Sequence, residues 1–360
     1  MSCCEKLVLE PPSGAESRSG DGKGIDRDVG RRTVLKGIAG VTGGLALASG
    51  LKVAHAQGKT IQLAFCGQLL CVVPYEVTQA AGFFEAEGLE VELVYTRGGN
   101  AAMQALVGGA VDYAGTSFDV ALQAFSQGAA IRSFVLTGRL PLFALAVGPA
   151  KVAEIATVKD LENHTVGISG LGNADHTLLL YLLGKAGADA GSVEFAQLGP
   201  NLFDALRVGH VDAGMVQEPA LTLLEADGGR ALVNFMDLED AETHLGGSYA
   251  FMGVSVRAAE REERLDEMRS FARALQNGLQ QLQAMPVAEI LDALPSELIA
   301  GGDRAQLEGI LERYRASLYP SSVALDLASA ERVAESQRVA GILGAETSLD
   351  ALLDPSVVQS

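Results

Sequence analysis

The chain has 360 residues, of which 48% are hydrophobic, and it carries 27 basic and 45 acidic side chains for a net charge of −18. A surface this acidic repels nucleic acid and anionic membranes, which excludes them as partners. The length and the apolar content support a packed core divided between two lobes.

Residues 1–56 are predicted to be an export signal. The twin-arginine pattern Arg31-Arg32-Thr33-Val34-Leu35-Lys36 precedes an apolar run over 38–51, and Ala54-His55-Ala56 offers small residues where a signal peptidase cleaves. The run is too short and too weakly apolar for a membrane span, and a membrane anchor is the alternative. We expect a periplasmic protein that begins at Gln57, with a net charge of −20 once the eight basic and six acidic residues of the signal are removed.

After the signal, short apolar runs alternate with helical patterns. Strands are predicted at residues 59–66, 90–95, 111–115, 133–136, 143–147, 165–169, 192–198, 211–216, 231–235 and 249–256. Helices are predicted at residues 74–81, 119–127 and 175–185, and again over 261–282, 303–314 and 328–343, with prolines as breaks. Strands separated by helices predict parallel β-α-β units, so the fold class is α/β.

Two segments one hundred residues apart are nearly alike. Ala105–Asp112 and Ala205–Asp212 share Ala, Leu, Gly, Val and Asp at identical offsets. In each, a helix ends at a Gly that can adopt the left-handed conformation, and a Val opens a core strand. The repeat predicts two similar α/β lobes, against the alternative that two common helix-strand joints match by chance.

The order of elements predicts that the second lobe is inserted into the first. We assign residues 57–150 and 252–360 to a discontinuous lobe 1 and residues 151–251 to lobe 2. The chain would cross between them near residues 148–161 and 246–256, which makes a hinge with a ligand cleft beside it.

Four segments resemble the solute-binding proteins of ABC importers in the nitrate/sulfonate/taurine group, which is similar to thiamine-pyrimidine-synthesis proteins. They are Ala81–Leu93 (AGFFEAEGLEVEL), the repeated Ala-Leu-x-x-Gly-x-Val-Asp element, Lys159–Gly167 (KDLENHTVG) and Leu353–Val358 (LDPSVV). The resemblance implies the two-lobed type II periplasmic-binding-protein fold with a helical C-terminal region. It also implies a monomer that closes on a small solute and docks on a membrane permease.

In such sheets ligands bind beyond the carboxyl ends of the parallel strands, and helix N-termini there attract anions. Arg139 is the best candidate counter-ion, although a solvated arginine is the alternative. Thr116 and Ser117 either contact the ligand or cap the next helix, and Cys66 is either a contact or a small buried hydrophobe. The predicted ligand-binding residues are Cys66, Gly67, Gln68, Gly99, Asn100, Thr116, Ser117, Arg139, Gly170, Gly172, Asn173, Asn201, Gln217 and Glu218.

No catalytic or metal-ligating pattern stands out in the sequence after residue 57. Its four histidines lack zinc spacing, and there is no Gly-x-Ser-x-Gly nucleophile elbow. Cys66 and Cys71 either form a disulfide, which export permits, or remain free thiols. We therefore predict neither a cofactor nor a metal.

The sequence favours an exported binding protein for a small anion such as a sulfonate, nitrate or taurine, and not an enzyme. A binder of a neutral heteroaromatic is the first alternative, favoured if Gln217 and Glu218 face the cleft and Arg139 does not. An enzyme related to thiamine-pyrimidine synthesis and a sensory adaptor are the others.

Overall fold

The computed structural model describes residues 60–299, 303–344 and 347–358, so the predicted signal peptide lies outside the described residues. Short apolar runs form two five-stranded sheets in this part of the chain. The strands are β1 Ile61–Cys66, β2 Val91–Thr96, β3 Tyr113–Ser117, β4 Ile131–Leu136, β5 Ala144–Val147, β6 Thr165–Ile168, β7 Glu194–Gln197, β8 Ala213–Val216, β9 Arg230–Asn234 and β10 Met252–Arg257.

The two sheets have the same plan. The first has the order β2-β1-β3-β10-β4 and the second has the order β7-β6-β8-β5-β9. In the first sheet β1 pairs in parallel with β2 and β3, and the antiparallel strand β10 lies between β3 and β4. In the second sheet β6 pairs in parallel with β7 and β8, and the antiparallel strand β5 lies between β8 and β9. The sheets are therefore mixed, and the predicted parallel β-α-β units make up only part of each.

Strand β5 lies in the second sheet, although its place in the chain had put it in the first lobe. It pairs with β8 and β9, so the chain leaves the first sheet after β4 and not in the predicted range 148–161. Chain order misplaces this strand because antiparallel pairing depends on distant partners, which periodicity does not reveal. The return to the first sheet ends at Met252, within the predicted range 246–256.

Helices pack on both sheets and make up most of the chain after β10. They are α1 Leu69–Ala80, α2 Phe83–Ala86, α3 Gly99–Val107, α4 Phe118–Ser126, α5 Ala174–Ala186, α6 Leu202–Arg207, α7 Ala220–Ala226, α8 Leu238–Leu245, α9 Leu265–Ala284, α10 Val287–Asp292, α11 Ser296–Ile299, α12 Arg304–Leu318 and α13 Leu327–Val339. Phe271 of α9 stacks on Tyr113 of β3 with ring centroids 5.0 Å apart, so the returning helices complete the core of the first sheet. Among the described residues no helix is both long enough and apolar enough to span a membrane.

Helix α1 begins five residues before the predicted start at Pro74. A proline inside a helix leaves the carbonyl four residues earlier without its usual donor. Here that carbonyl belongs to Leu70, and the hydroxyl of buried Tyr319 donates to it at 2.8 Å. A tertiary hydrogen bond therefore offsets the cost that made the sequence favour a later start.

The repeated Ala-Leu-x-x-Gly-x-Val-Asp element is the joint between a helix and the third strand in both sheets. The Gln62 N–H of β1 donates to Asp112 Oδ2 at 3.0 Å, and the Thr165 N–H of β6 donates to Asp212 Oδ2 at 3.0 Å. Each aspartate thus binds the beginning of the neighbouring strand. The repeated element therefore has a structural role, and its two copies occupy equivalent positions in the two sheets.

We expect Gly109→Ala and Gly209→Ala to destabilise the protein by similar amounts, about 1–2 kcal/mol each. Both glycines have left-handed backbones, with φ of +77° and +76°. A Cβ at Gly109 would meet nothing within 4 Å and one at Gly209 only Ala150 at 3.7 Å, so the cost is conformational. Urea-induced unfolding measures it.

Gly309→Ala is the control, because Gly309 lies in α12 where a Cβ would meet open space. There alanine is expected to stabilise the protein by up to about 1 kcal/mol. Clearly unequal losses at the two repeat glycines would contradict the equivalence of the two joints.

Candidate ligand-binding site

A cavity of about 60 Å³ lies where the two sheets face each other. A water molecule needs roughly 10–15 Å³ of such space, so the cavity suits a solute of a few non-hydrogen atoms. The first sheet and its helices contribute the larger part of the wall, the second sheet contributes less, and the two crossing segments close one side. The lining residues are Cys66, Gln68, Cys71, Arg97, Gly98, Gly99, Gly115, Thr116, Ser117, Val120, Phe143, Ser169, Asn173, Ala174, Gln217, Phe251 and Met252.

The structure brings together half of the residues that the sequence analysis proposed. They come from the ends of β1, β3 and β8 and from the starts of α3 and α5, as expected for loops beyond the carboxyl ends of parallel strands. The seven that line the cavity are Cys66, Gln68, Gly99, Thr116, Ser117, Asn173 and Gln217.

The other seven lie outside the lining of this cavity, for local reasons. Gly67 packs against Tyr95, Asn201 is exposed, and Gly170 and Gly172 expose backbone near the cleft without lining the cavity. A Cβ at Gly172 would lie 3.8 Å from Asn100 Nδ2, so these two loops approach each other across the cleft. The full set is Gly67, Asn100, Arg139, Gly170, Gly172, Asn201 and Glu218.

Arg139 and Glu218 have partners of their own. The Arg139 guanidinium donates to the carbonyls of Ser317 at 2.9 Å and Ala316 at 2.5 Å, so it binds the end of α12. The Glu218 carboxylate accepts from the N–H and the hydroxyl of Thr222, each at 3.0 Å, and burial raises its pKa. The predicted counter-ion therefore serves the fold.

The start of α3 forms the polar side of the cavity. Gly98 precedes the helix without a side-chain cap, and no side chain among the described residues accepts a hydrogen bond from the first N–H groups of α3. A Cβ at Gly99 would lie only 2.3 Å from Thr116 Oγ1, so glycine is required for this close approach. Free N–H groups and the helix dipole together favour negative charge at this point.

Arg97 stands beside the same helix start and is exposed at the cavity. Within the described residues its guanidinium has no hydrogen bond or ion pair, unlike that of Arg139. No described acidic side chain lines the cavity. The lining itself therefore carries a positive charge, although the protein as a whole is strongly acidic.

Thr116 and Ser117 divide the two roles that the sequence left open. Ser117 Oγ accepts the Val120 N–H at 3.3 Å and so caps α4. Thr116 is 5% exposed, and its Oγ1 has no hydrogen-bond partner among the described residues. A buried hydroxyl without a partner is costly, so Thr116 is the residue of this pair that is available to a ligand.

Cys66 and Cys71 form a disulfide that joins the end of β1 to the first turn of α1. Both cysteines and Gln68 between them lie in the cavity wall. The bridge resolves the alternatives of disulfide and free thiols, and it fixes the loop that carries Gln68.

On the opposite wall, three polar residues form a hydrogen-bonded chain. The Ser169 N–H and hydroxyl donate to the Asp175 carboxylate at 2.5 and 2.7 Å, and Asn173 Nδ2 donates to Ser169 Oγ at 3.0 Å. Burial raises the pKa of Asp175 to about 6, against the opposing effect of the Ser169 donors. Above that pH the carboxylate is ionised and accepts both hydrogen bonds.

Several lining residues are missing from the predicted ligand-binding set. Arg97 directly precedes the loop at Gly98, but its position could not be distinguished from a solvated one. Phe143 and Phe251 come from the two crossing segments, and their rings lie 5.9 Å apart, edge to face. A rule that includes crossing segments in the wall would have found them.

Metal and catalytic groups were not expected, and the described residues contain no cluster of histidine, cysteine and acidic side chains that could hold a metal ion. His176 at the start of α5 accepts the Gly172 N–H through Nδ1 at 3.2 Å. Its role here is to fix the loop before α5.

Comparison with known proteins identifies the family and the fold. The sequence model of the family described as NMT1/THI5 like matches residues 72–289, which is more than half of the chain. The chain belongs to the NMT1/THI5-like family. The comparison with curated proteins gives no match.

Solved structures show the fold of this NMT1/THI5-like protein. A protein from Bordetella bronchiseptica RB50 has a TM-score of 0.73 at 23% identity, covering 83% of this chain and 93% of its own. The alkanesulfonate-binding protein SsuA from Xanthomonas axonopodis pv. citri has 0.63 at 20%, with 84% and 99% covered. The nitrate-binding protein NrtA from Synechocystis PCC 6803 has 0.64 at 13%, with 84% and 87% covered. The fold is the type II periplasmic-binding-protein fold, as the sequence predicted.

Proposed function

We propose that this protein is an exported solute-binding protein that captures a small anion for an ABC importer. The anion binds between the start of α3, the Thr116 hydroxyl and the Arg97 guanidinium. The observation that carries the proposal is that these donors meet at one cavity whose lining contains no carboxylate. Binding proteins for alkanesulfonate and nitrate share the fold, which supports the same class of solute here.

The charge distribution explains why the donors must be local. At a net charge of −18 the protein repels anions at long range. Close donors outweigh this field, because salt screens charges beyond about 8–10 Å while contacts inside a cavity are screened far less. Selectivity therefore depends on the cavity and not on the overall charge.

The arrangement in two lobes explains how the protein would capture and release a solute. We assign the residues of the first sheet to lobe 1 and those of the second to lobe 2, joined by the two crossing segments. Because donors stand on one lobe and Asn173 and Gln217 on the other, a solute that contacts both favours the closed arrangement. The closed monomer would dock on the importer's permease, after twin-arginine export to the periplasm.

Arg97→Gln is expected to weaken anion binding about tenfold, because one charge-assisted hydrogen bond is lost. Isothermal titration of residues 57–360 with alkanesulfonates, taurine, nitrate, bicarbonate and small carboxylates identifies the solute and measures the change. Arg207→Gln is the matched control, since Arg207 is exposed, pairs with Asp204 and lies over the Phe203 ring, away from the cavity lining. Equal affinities of the two variants would contradict the proposed site.

A binder of a neutral heteroaromatic is the second candidate. Gln217 lines the cavity and Arg139 lies outside it, as that alternative requires, but the Glu218 carboxylate is occupied by Thr222. Pyrimidines and riboflavin belong in the same titration. Binding of these compounds alone, unaffected by Arg97→Gln, would favour this candidate over the anion.

A further inference from the structure

Two buried polar atoms in the residues that line the cavity have no hydrogen-bond partner among the described residues. They are Thr116 Oγ1 on the first sheet's side and Asn173 Oδ1 on the second. Folded proteins rarely leave buried polar atoms unpaired, so each of these atoms calls for a partner that a bound solute or a water molecule can supply. The two atoms need different partners. A hydroxyl can pair with a donor or an acceptor, whereas an amide oxygen can pair only with a donor.

The orientation of the Asn173 amide follows from its neighbours. Ionised Asp175 accepts the single Ser169 hydroxyl proton, so Ser169 Oγ can only accept from the next residue. Asn173 must therefore present its NH2 group to Ser169, as the 3.0 Å contact from Nδ2 shows. The amide oxygen is left on the other side, and rotating the amide would break the chain.

The consequence is a mismatch with a simple oxyanion. Nitrate and an unsubstituted alkanesulfonate carry acceptors only, so they can satisfy Thr116, Arg97 and the start of α3. They cannot donate to Asn173 Oδ1, which then needs a water molecule or stays unpaired beside them. A solute with an N–H or O–H group pairs with both sides of the cavity.

We infer that Asn173 is a specificity residue that selects small anions bearing a hydrogen-bond donor, such as bicarbonate or an amino- or hydroxy-substituted sulfonate or carboxylate. This rests on the proposed function. The anionic end binds on the first sheet's side, and the donor end binds Asn173 Oδ1 on the second.

Two ligand pairs test the inference in the unaltered protein. Bicarbonate and nitrate are planar monoanions of four non-hydrogen atoms that differ in one O–H, and taurine differs from 1-propanesulfonate in an ammonium in place of a methyl. By calorimetry at pH 8 we expect the donor-bearing member of at least one pair to bind at least about tenfold more tightly. Equal or tighter binding of nitrate and 1-propanesulfonate would overturn the inference.

Asn173→Leu removes the acceptor at similar volume and should reduce the preference within a pair to about threefold or less. Asn277→Leu is the matched control, because Asn277 is exposed on α9, outside the cavity lining, and it should keep the full preference. A preference that survives Asn173→Leu overturns the role of Asn173. If both members bind equally but still depend on Arg97, only this inference fails; if neither binds, the proposed function fails with it.

Discussion

Gly99→Ala is expected to lower anion affinity about 100-fold, or roughly 2.7 kcal/mol. The added methyl would lie 2.3 Å from Thr116 Oγ1, too close for both groups to keep their positions. Either the hydroxyl turns away or the start of α3 shifts, and both changes remove donors from the anion. Calorimetric titration with the solute identified for the unaltered protein measures the loss.

A double-mutant cycle with Thr116→Ala tests that cause. Once Oγ1 is removed, the nearest atoms to an alanine Cβ at position 99 are Val120 Cγ2 at 3.5 Å and the Cβ of residue 116 at 3.6 Å, which are ordinary contacts. Gly99→Ala should therefore cost far less in the Thr116→Ala background than alone. Fully additive losses would show that the glycine acts by another route.

Asp119→Asn is expected to raise the free energy of unfolding relative to the unaltered protein by more at pH 8 than at pH 4. The difference between the two pH values should reach up to about 4 kcal/mol. Asp119 lies wholly buried in α4, where Tyr249 donates to Oδ1 at 2.6 Å and Oδ2 has no partner among the described residues. Burial raises the pKa of this carboxyl to about 7, against opposing hydrogen bonds.

The sign follows from that raised pKa. The protonated acid is the form that the fold prefers, so its contribution to stability is complete below pH 4 and is lost as the pH rises through 7. Asparagine does not ionise and escapes this loss. Asp227→Asn, at an exposed position after α7, is the control for the loss of one negative charge. Chemical unfolding of each variant at several pH values between 4 and 8 measures this effect. A difference in unfolding free energy between Asp119→Asn and the unaltered protein that does not change with pH would contradict the account.

The sequence predicted most elements because their signals are local. Helix and strand periodicity and the glycine that ends α3 are set by neighbours in the chain. The repeat also predicted the equivalence of the two sheets. The partner of β5 and the early start of α1 depend on distant contacts, with β8 and β9 in one case and Tyr319 in the other, which no local pattern contains.

In the candidate site, too, local signals could be read from the sequence and distant contacts could not. The rule for strand ends located the loops, but it could not show which side chains within them reach the cavity. Arg97 and Arg139 both follow predicted strands, and only the carbonyls at the end of α12, more than 170 residues away in sequence, distinguish them. The orientation of Asn173 likewise depends on two partners in a hydrogen-bonded chain, Ser169 and Asp175.

A crystal structure of the protein with its tightest-binding anion tests the central claim most directly. The account predicts density for the anion between the start of α3, Thr116 and Arg97, with its oxygens within hydrogen-bond distance of these donors. An anion bound elsewhere, with this cavity holding only water, would contradict it.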